Sequence, residues 1–213
     1  MRTTITNAEL ILAVEKVATD LQAAQELLRE LDAAMGDGDL GITMKLGFDG
    51  VRKVLPDLKE QDIGTIVTKT GLTFNSSAAS TMGALLASAC MRAGREVKGK
   101  PEIDLSDLVR MAHAGVTGIR ERGKADVGDK TMLDTLVPWA DALNRAAEEG
   151  KSLAEALAVA LPAAEQGMLS TRGMMPRAGR GSWLGERAKD VQDPGATASF
   201  LMIKSFSEYL TTH

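Results

Sequence analysis

Apolar residues recur at spacings of three and four along almost the whole chain, and most of these runs open on a helix-start signal. Thr6-Asn7-Ala8-Glu9 and Ser152-Leu153-Ala154-Glu155 have the form of capping boxes, and Asp62, Asp104 or Ser106, and Asp129 are candidate caps elsewhere. After the first box, Leu10, Val14, Val17, Leu21, Ala24, Leu28 and Leu31 keep one face apolar for about six turns. With aromatics at 3% and Ala, Leu and Met abundant, sandwich and barrel folds are disfavoured and an all-α fold is expected. The 213 residues are enough for one largish domain with a real core, and residues 1–213 are read as a single domain.

The chain punctuates itself in order. A second helix starts at Gly41 or Ile42, carries Met44, Phe48, Val51 and Leu55 on one face, and closes at Pro56. A third carries Ile63, Ile66 and Val67 and runs into Gly71 to Gly83, a small, hydroxyl-rich stretch that reads as a loop before a fourth helix, Ala84 to Ala93. Small residues there suit either backbone approach to a ligand or close helix packing. The fifth helix bears Leu105, Leu108, Val109, Ala112, Val116 and Ile119; His113 falls within that pattern and reads as structural, and His213 as terminal. A helix from Thr131 to Glu149 follows, with Met132, Leu136, Trp139 and Leu143 inward and a bend at Pro138. Pro162 is expected to interrupt or kink the next. Segment 170–194 has four Arg, four Gly and little periodicity, so it reads as a long functional loop, and Asp193-Pro194-Gly195 starts a last helix from about Ala196 to Leu210. The count is about eight helices and no convincing strand. Gly-rich polar connections fall at the ends of alternate helices, so an up-and-down bundle gathers several at one end.

The densest chemistry lies in Asp32-Ala33-Ala34-Met35-Gly36-Asp37-Gly38-Asp39-Leu40-Gly41-Ile42-Thr43. Glycines free the backbone to fold the carboxylates of Asp32, Asp37 and Asp39 inward, and three hard oxygen ligands suit Mg²⁺ or Ca²⁺ better than zinc. The EF-hand spacing is absent, since no Glu stands at the twelfth position from Asp32 or Asp37. With few protein ligands on offer, Mg²⁺ sharing phosphate oxygens is the better match, and the following helix N-terminus could receive that phosphate. A Gly/Asp turn whose carboxylates cap the next helix is the other reading of the same residues.

A net charge of −4 and a pI near 5.3 argue against a nucleic-acid footprint or an anionic membrane surface. The single cysteine, Cys90, lies in an apolar run and fits a reducing cytoplasm; no signal-like or membrane-length apolar segment is evident.

Three long runs together resemble the nucleotide-binding family of dihydroxyacetone kinases, with the free-standing L subunits nearest: Asp32 to Met44, Gly128-Asp129-Lys130-Thr131-Met132, and Gly179 to Arg187 with Gln192 to Thr197. The resemblance implies a single-domain eight-helix antiparallel barrel with MgATP or MgADP across one end, and a sugar held on a separate K subunit. It implies that Asp32, Asp37 and Asp39 ligate two Mg²⁺ ions. Leu40, Gly41, Ile42 and Thr43, then Thr81 and Met82 at the phosphate loop, Gly123 and Met132 in the pocket, and Arg180 with Asp193, Pro194 and Gly195 are implied to bind nucleotide. Two positions depart from the family pattern: Leu40 stands where a histidine is usual, and Ala79-Ser80-Thr81-Met82-Gly83 replaces a Gly-Gly-x-Ser-Gly run. The expected function is phosphoryl transfer to a small keto-sugar, with a phosphotransferase-system protein as a possible donor. A non-catalytic nucleotide-binding module docking on a partner protein is the alternative.

Overall fold

The structure, a computed structural model, describes residues 3–212; the terminal histidine lies outside the described residues. Among the described residues, nine α-helices follow one another: α1 (Asn7–Ala23), α2 (Gln25–Met35), α3 (Leu40–Val54), α4 (Ile63–Ser77), α5 (Thr81–Glu96), α6 (Leu105–Gly123), α7 (Leu133–Glu148), α8 (Leu153–Ser170) and α9 (Pro194–Thr212). From α3 onward each helix packs on its neighbour in chain order, and α9 returns to α1, which itself packs on α3. The result is a closed ring of eight staves, all-α as expected, with α1 and α2 together forming one stave.

That first stave corrects the sequence reading of one unbroken helix. The chain breaks at Ala24 (φ −85°, ψ 5°), where the N–H still reaches the Asp20 carbonyl, so the bend leaves no orphan donor. The bend lets α2 lie against α3. A Cβ on Gly41 would stand 2.2 Å from the Gln25 carbonyl oxygen, so only glycine permits this approach.

The stretch Gly71 to Gly83 is also corrected. α4 continues to Ser77 and α5 begins at Thr81, so the loop is only Ala78 to Ser80. Small residues here serve helix contact: a Cβ on Gly71 would fall 2.4 Å from the Cys90 Cβ, and one on Gly64 would fall 2.4 Å from the Gly94 carbonyl oxygen. Burial pushes the Cys90 thiol up to about 11, consistent with an inert packing residue.

Several boundaries fall as expected, because their caps are local chemistry. Thr6, Asp104 and Ser152 head capping boxes, and Asp62 accepts from Thr65 N–H. Two of these caps also make the strands that the sequence did not suggest. Thr4–Thr6 and Glu102–Asp104 pair antiparallel, Ile5 opposite Ile103, because the residues entering α1 and α6 are extended up to their caps and bury both isoleucines.

The prolines behave unequally. α8 runs through Pro162 uninterrupted; Ala158, whose carbonyl loses its partner, is exposed and can use water. Pro138 lies inside α7 and frees the Asp134 carbonyl, against which Gly167 packs so closely that an added Cβ would be 2.0 Å away. No described helix is long and apolar enough to cross a membrane.

Close glycine contacts give a paired test by urea unfolding. Gly64→Ala must push α4 from α5 and is expected to lose about 1–3 kcal/mol despite better helix propensity. Gly115→Ala, whose Cβ would meet Ala89 at an ordinary 3.7 Å, is expected to be neutral or gain up to about 1 kcal/mol. Equal effects at the two sites would mean that α4 and α5 are not held at glycine distance.

Candidate functional site

In an alternating ring, every second helix starts at the same end. Leu40, Thr81, Leu133 and Pro194, the first residues of α3, α5, α7 and α9, all line one cavity of about 810 Å³. Met35 and Gly123, the last residues of α2 and α6, line it too. Four helix N-termini therefore direct partial positive charge into one space, of a size usual for small-molecule sites; the first N–H groups of α7 and α9 are taken by Thr131, Met132 and Asp193.

The Asp/Gly loop forms one wall. Asp32 lies in the last turn of α2, and Asp37 and Asp39 follow on a turn that Gly38 makes at φ +76°. One ligand oxygen from each of the three lies within 4.8 Å of the others. Oxygens sharing one Mg²⁺ at about 2.1 Å stand about 3–4 Å apart, so the carboxylates are nearly at ligating separation and their hardness suits that ion. Asp32 accepts from Leu40 N–H at 3.0 Å. Its pKa is raised, first by burial and then by the charges of Asp37 and Asp39, and the Leu40 hydrogen bond opposes the shift. Such crowded carboxylates gain from a cation. Here the guanidinium of Arg180 supplies one, contacting Asp37 and standing 3.4 Å from Asp39 Oδ2.

The opposite wall is built by the loop before α7. Asp129, expected to cap that helix, instead accepts from Asp126 N–H at 2.8 Å. The ordering carboxylate is Asp134, almost fully buried, which accepts from Gly128 N–H at 2.6 Å and Thr131 N–H at 2.7 Å. Asp193 caps α9 as expected, accepting from Ala196 N–H at 2.7 Å, while its own N–H donates to Thr171 Oγ1. Burial pushes the Asp193 carboxyl up to about 7, the Asp134 charge adds to this, and the Ala196 hydrogen bond and Lys130 pull the other way.

Segment 170–194 covers the mouth with two short 3-10 turns, Arg180–Trp183 and Gly185–Ala188. Ala178, Gly179, Arg180, Gly181, Trp183 and Leu184 face the cavity, and a Cβ on Gly181 would meet Met35 Cε at 2.7 Å. Trp183 is 93% exposed, so it does not pin the segment to the bundle.

Of the residues singled out from sequence, Asp32, Asp37, Asp39, Leu40, Thr43, Thr81, Met82, Gly123, Met132, Arg180, Asp193, Pro194 and Gly195 meet around this one cavity. Gly41 and Ile42 are not in its lining: Gly41 is packed on α2 and Ile42 is 43% exposed. His113, on α6, is half-buried away from the lining. Sequence reasoning missed Lys130, which lines the cavity while only 1% exposed. A lysine in a polar, glycine-punctuated loop reads as solvated. Its one signal is position, since it lies in the Gly128 to Met132 run.

Comparison with known proteins agrees with this geometry. Residues 34–208 match the DAK2 domain. The "PEP-dependent dihydroxyacetone kinase, ADP-binding subunit DhaL" of Escherichia coli is 39% identical over 84% of this chain and 85% of its own length. A Listeria innocua subunit of the same description is 32% identical over 89% and 88%. The dihydroxyacetone kinase of C. freundii, solved both in native form and with AMP-PNP and Mg²⁺, superposes at a TM-score of 0.70 with 24% identity. That likeness covers 98% of this chain and 36% of the solved chain in its native form. The chain thus belongs to the DAK2 domain family, the family of the nucleotide-binding subunits of dihydroxyacetone kinases.

Proposed function

We propose that this chain is the nucleotide-binding, phosphoryl-transferring subunit of a kinase for a small keto-sugar of the dihydroxyacetone type, working in the cytoplasm with a separate K-type subunit that holds the sugar. One observation carries the reading: three carboxylates at near-ligating separation share a cavity with four helix N-termini. Carboxylates alone would repel a phosphate, and helix N-termini alone would not hold a metal. Together they suit a magnesium nucleotide.

In this reading Asp32, Asp37 and Asp39 hold two Mg²⁺ ions, and Thr81 and Met82 offer N–H groups to phosphate at the start of α5. Leu40, Thr43, Gly123 and Met132 line the nucleotide, Asp193, Pro194 and Gly195 shape the α9 end, and Gly41 and Ile42 contribute through backbone alone. Phosphoryl transfer needs positioning and charge neutralisation more than a covalent residue. When bound, the metal ions neutralise charge on the transferring group. Arg180, paired here with Asp37 and Asp39, would add a planar donor beside the transferring group. The relatives named as PEP-dependent and ADP-binding favour ADP that remains on the chain and is recharged by a phosphotransferase-system protein, over exchangeable ATP.

Three measurements test this. Asp37→Asn and Asp39→Asn are each expected to weaken MgADP binding at least tenfold by titration calorimetry, about 1.4 kcal/mol, with the fold intact; wild-type affinity in both would reject the metal assignment. The purified chain alone is expected to phosphorylate no dihydroxyacetone and to gain activity only with a K-type subunit, so steady turnover by the isolated chain would defeat the two-subunit reading. Trypsin cleavage at the exposed Arg180 and Arg187 is expected to slow severalfold with MgADP, and Arg180→Ala to reduce that protection. Unchanged rates under confirmed binding would mean the covering segment is no lid.

A further inference from the structure

Lys130 is the one buried lysine among the described residues, and its surroundings are unusual for a cation. Its Nζ donates to three backbone carbonyls: Met174 at 3.2 Å, Ala188 at 2.6 Å and Lys189 at 2.9 Å. An ammonium has three donors, so the set is complete. Burial still lowers its pKa, and the Asp193 and Asp190 charges hold it up.

The three carbonyls come from both ends of the segment that covers the cavity. Met174 lies before Arg180, and Ala188 and Lys189 after it. Two backbone bonds tighten the same knot: Gly173 N–H donates to the Lys189 carbonyl at 2.8 Å, and Arg177 N–H to the Asp129 carbonyl at 3.0 Å. Between these ties, residues 178 to 187 arch over the cavity and make no comparable polar contact with the bundle except through Arg180. Lys130 itself has φ +63°, a left-handed backbone that a side chain adopts at a cost. A buried charge bonded only to carbonyls of one loop is an internal stand-in for a structural cation. Its work is to hold the two feet of the arch at a fixed separation.

We infer that Lys130 is a positioning residue for nucleotide binding, clamping both ends of the covering segment so that Arg180 stands over the aspartate cluster. The inference rests on the proposed nucleotide site and adds to it a residue that need not touch the nucleotide to govern its affinity. If the clamp acts through Arg180, loss of the clamp removes most of what Arg180 contributes. A merely structural lysine would instead leave the Arg180 contribution intact in whatever protein folds.

The test is a double-mutant cycle on MgADP affinity by titration calorimetry, with Lys130→Met, Arg180→Ala and both. Lys130→Met keeps the stem and removes the charge and donors. Each single variant is expected to lose at least fivefold in affinity, and the double to lose no more than twofold beyond the weaker single. A second readout uses the two tryptophans. In a Trp139→Phe background, Trp183 on the arch reports alone, and saturating MgADP is expected to change its emission in the Lys130 protein and not in Lys130→Met. Multiplied losses with the Trp183 response preserved, or wild-type affinity in Lys130→Met, would overturn the inference. Absence of MgADP binding by the wild-type chain would instead overturn the nucleotide reading itself. If Lys130→Met loses its helical circular dichroism, the cycle is run with Lys130→Arg, whose planar fork cannot serve three carbonyls converging on one point. The same coupling with Arg180 is expected; independent losses, or failure of both variants to fold, would make Lys130 a residue of the fold and not of the clamp.

Discussion

The site depends on the electrostatics of helix starts. Eight staves that alternate in direction leave four N-termini at one end, and each brings N–H groups that the helix itself cannot satisfy. Caps meet part of this demand: Ser80 for α5 and Asp193 for α9. The remainder is positive potential directed into the cavity. Against it stand Asp32, Asp37 and Asp39; burial, and then the charges of the other two, raise the Asp32 pKa. Neither set is content alone. In the proposed reading, an anion carrying its own divalent cations would balance both, with phosphate at the helix starts and metal at the carboxylates.

Close packing gives the ring its shape. With so few aromatic residues, the staves approach through glycine and alanine. Gly118 lies where a Cβ would be 2.7 Å from the Ser88 carbonyl oxygen, and Gly94 where one would be 2.5 Å from the Gly64 carbonyl oxygen. Such contacts tolerate little adjustment, since backbone meets backbone and no flexible side chain can yield. They also fix where each helix begins at the cavity end. Spacing between α4, α5 and α6 therefore bears on the site, although neither glycine lines the cavity.

Local chemistry was legible and tertiary choices were not. The capping boxes at Thr6 and Ser152, the Asp62 and Asp193 caps and the three clustered aspartates each rest on residues within a few positions of one another. The break at Ala24 has no glycine or proline to announce it; it exists because α2 must meet α3 at Gly41. Gly71 to Ser77 read as loop because small and hydroxylated residues disfavour isolated helix, whereas α5 stabilises them as helix by contact. Asp129 reads as the cap by type and position, but the turn at Gly128 hands the N–H groups of Gly128 and Thr131 to Asp134 instead. Lys130 was beyond reach, since its partners are carbonyls some 44 to 59 positions away.

The two departures from the family pattern differ in consequence. Leu40 is buried at the start of α3, and its N–H is already given to Asp32, so it offers the cavity only apolar surface where a histidine would offer a ring nitrogen. The altered phosphate loop is less of a loss. Ser80 Oγ accepts from Gly83 N–H at 3.0 Å, and the Ser80 carbonyl accepts from Ala84 N–H at 3.0 Å. That arrangement spends the serine hydroxyl on the helix and satisfies the third and fourth donors of α5. Thr81 and Met82, at the first two positions, line the cavity, and Thr81 is exposed. In the proposed reading, a phosphate oxygen would be met by the Thr81 and Met82 backbone at a helix start whose position the Ser80 cap fixes, without the glycines of the usual run.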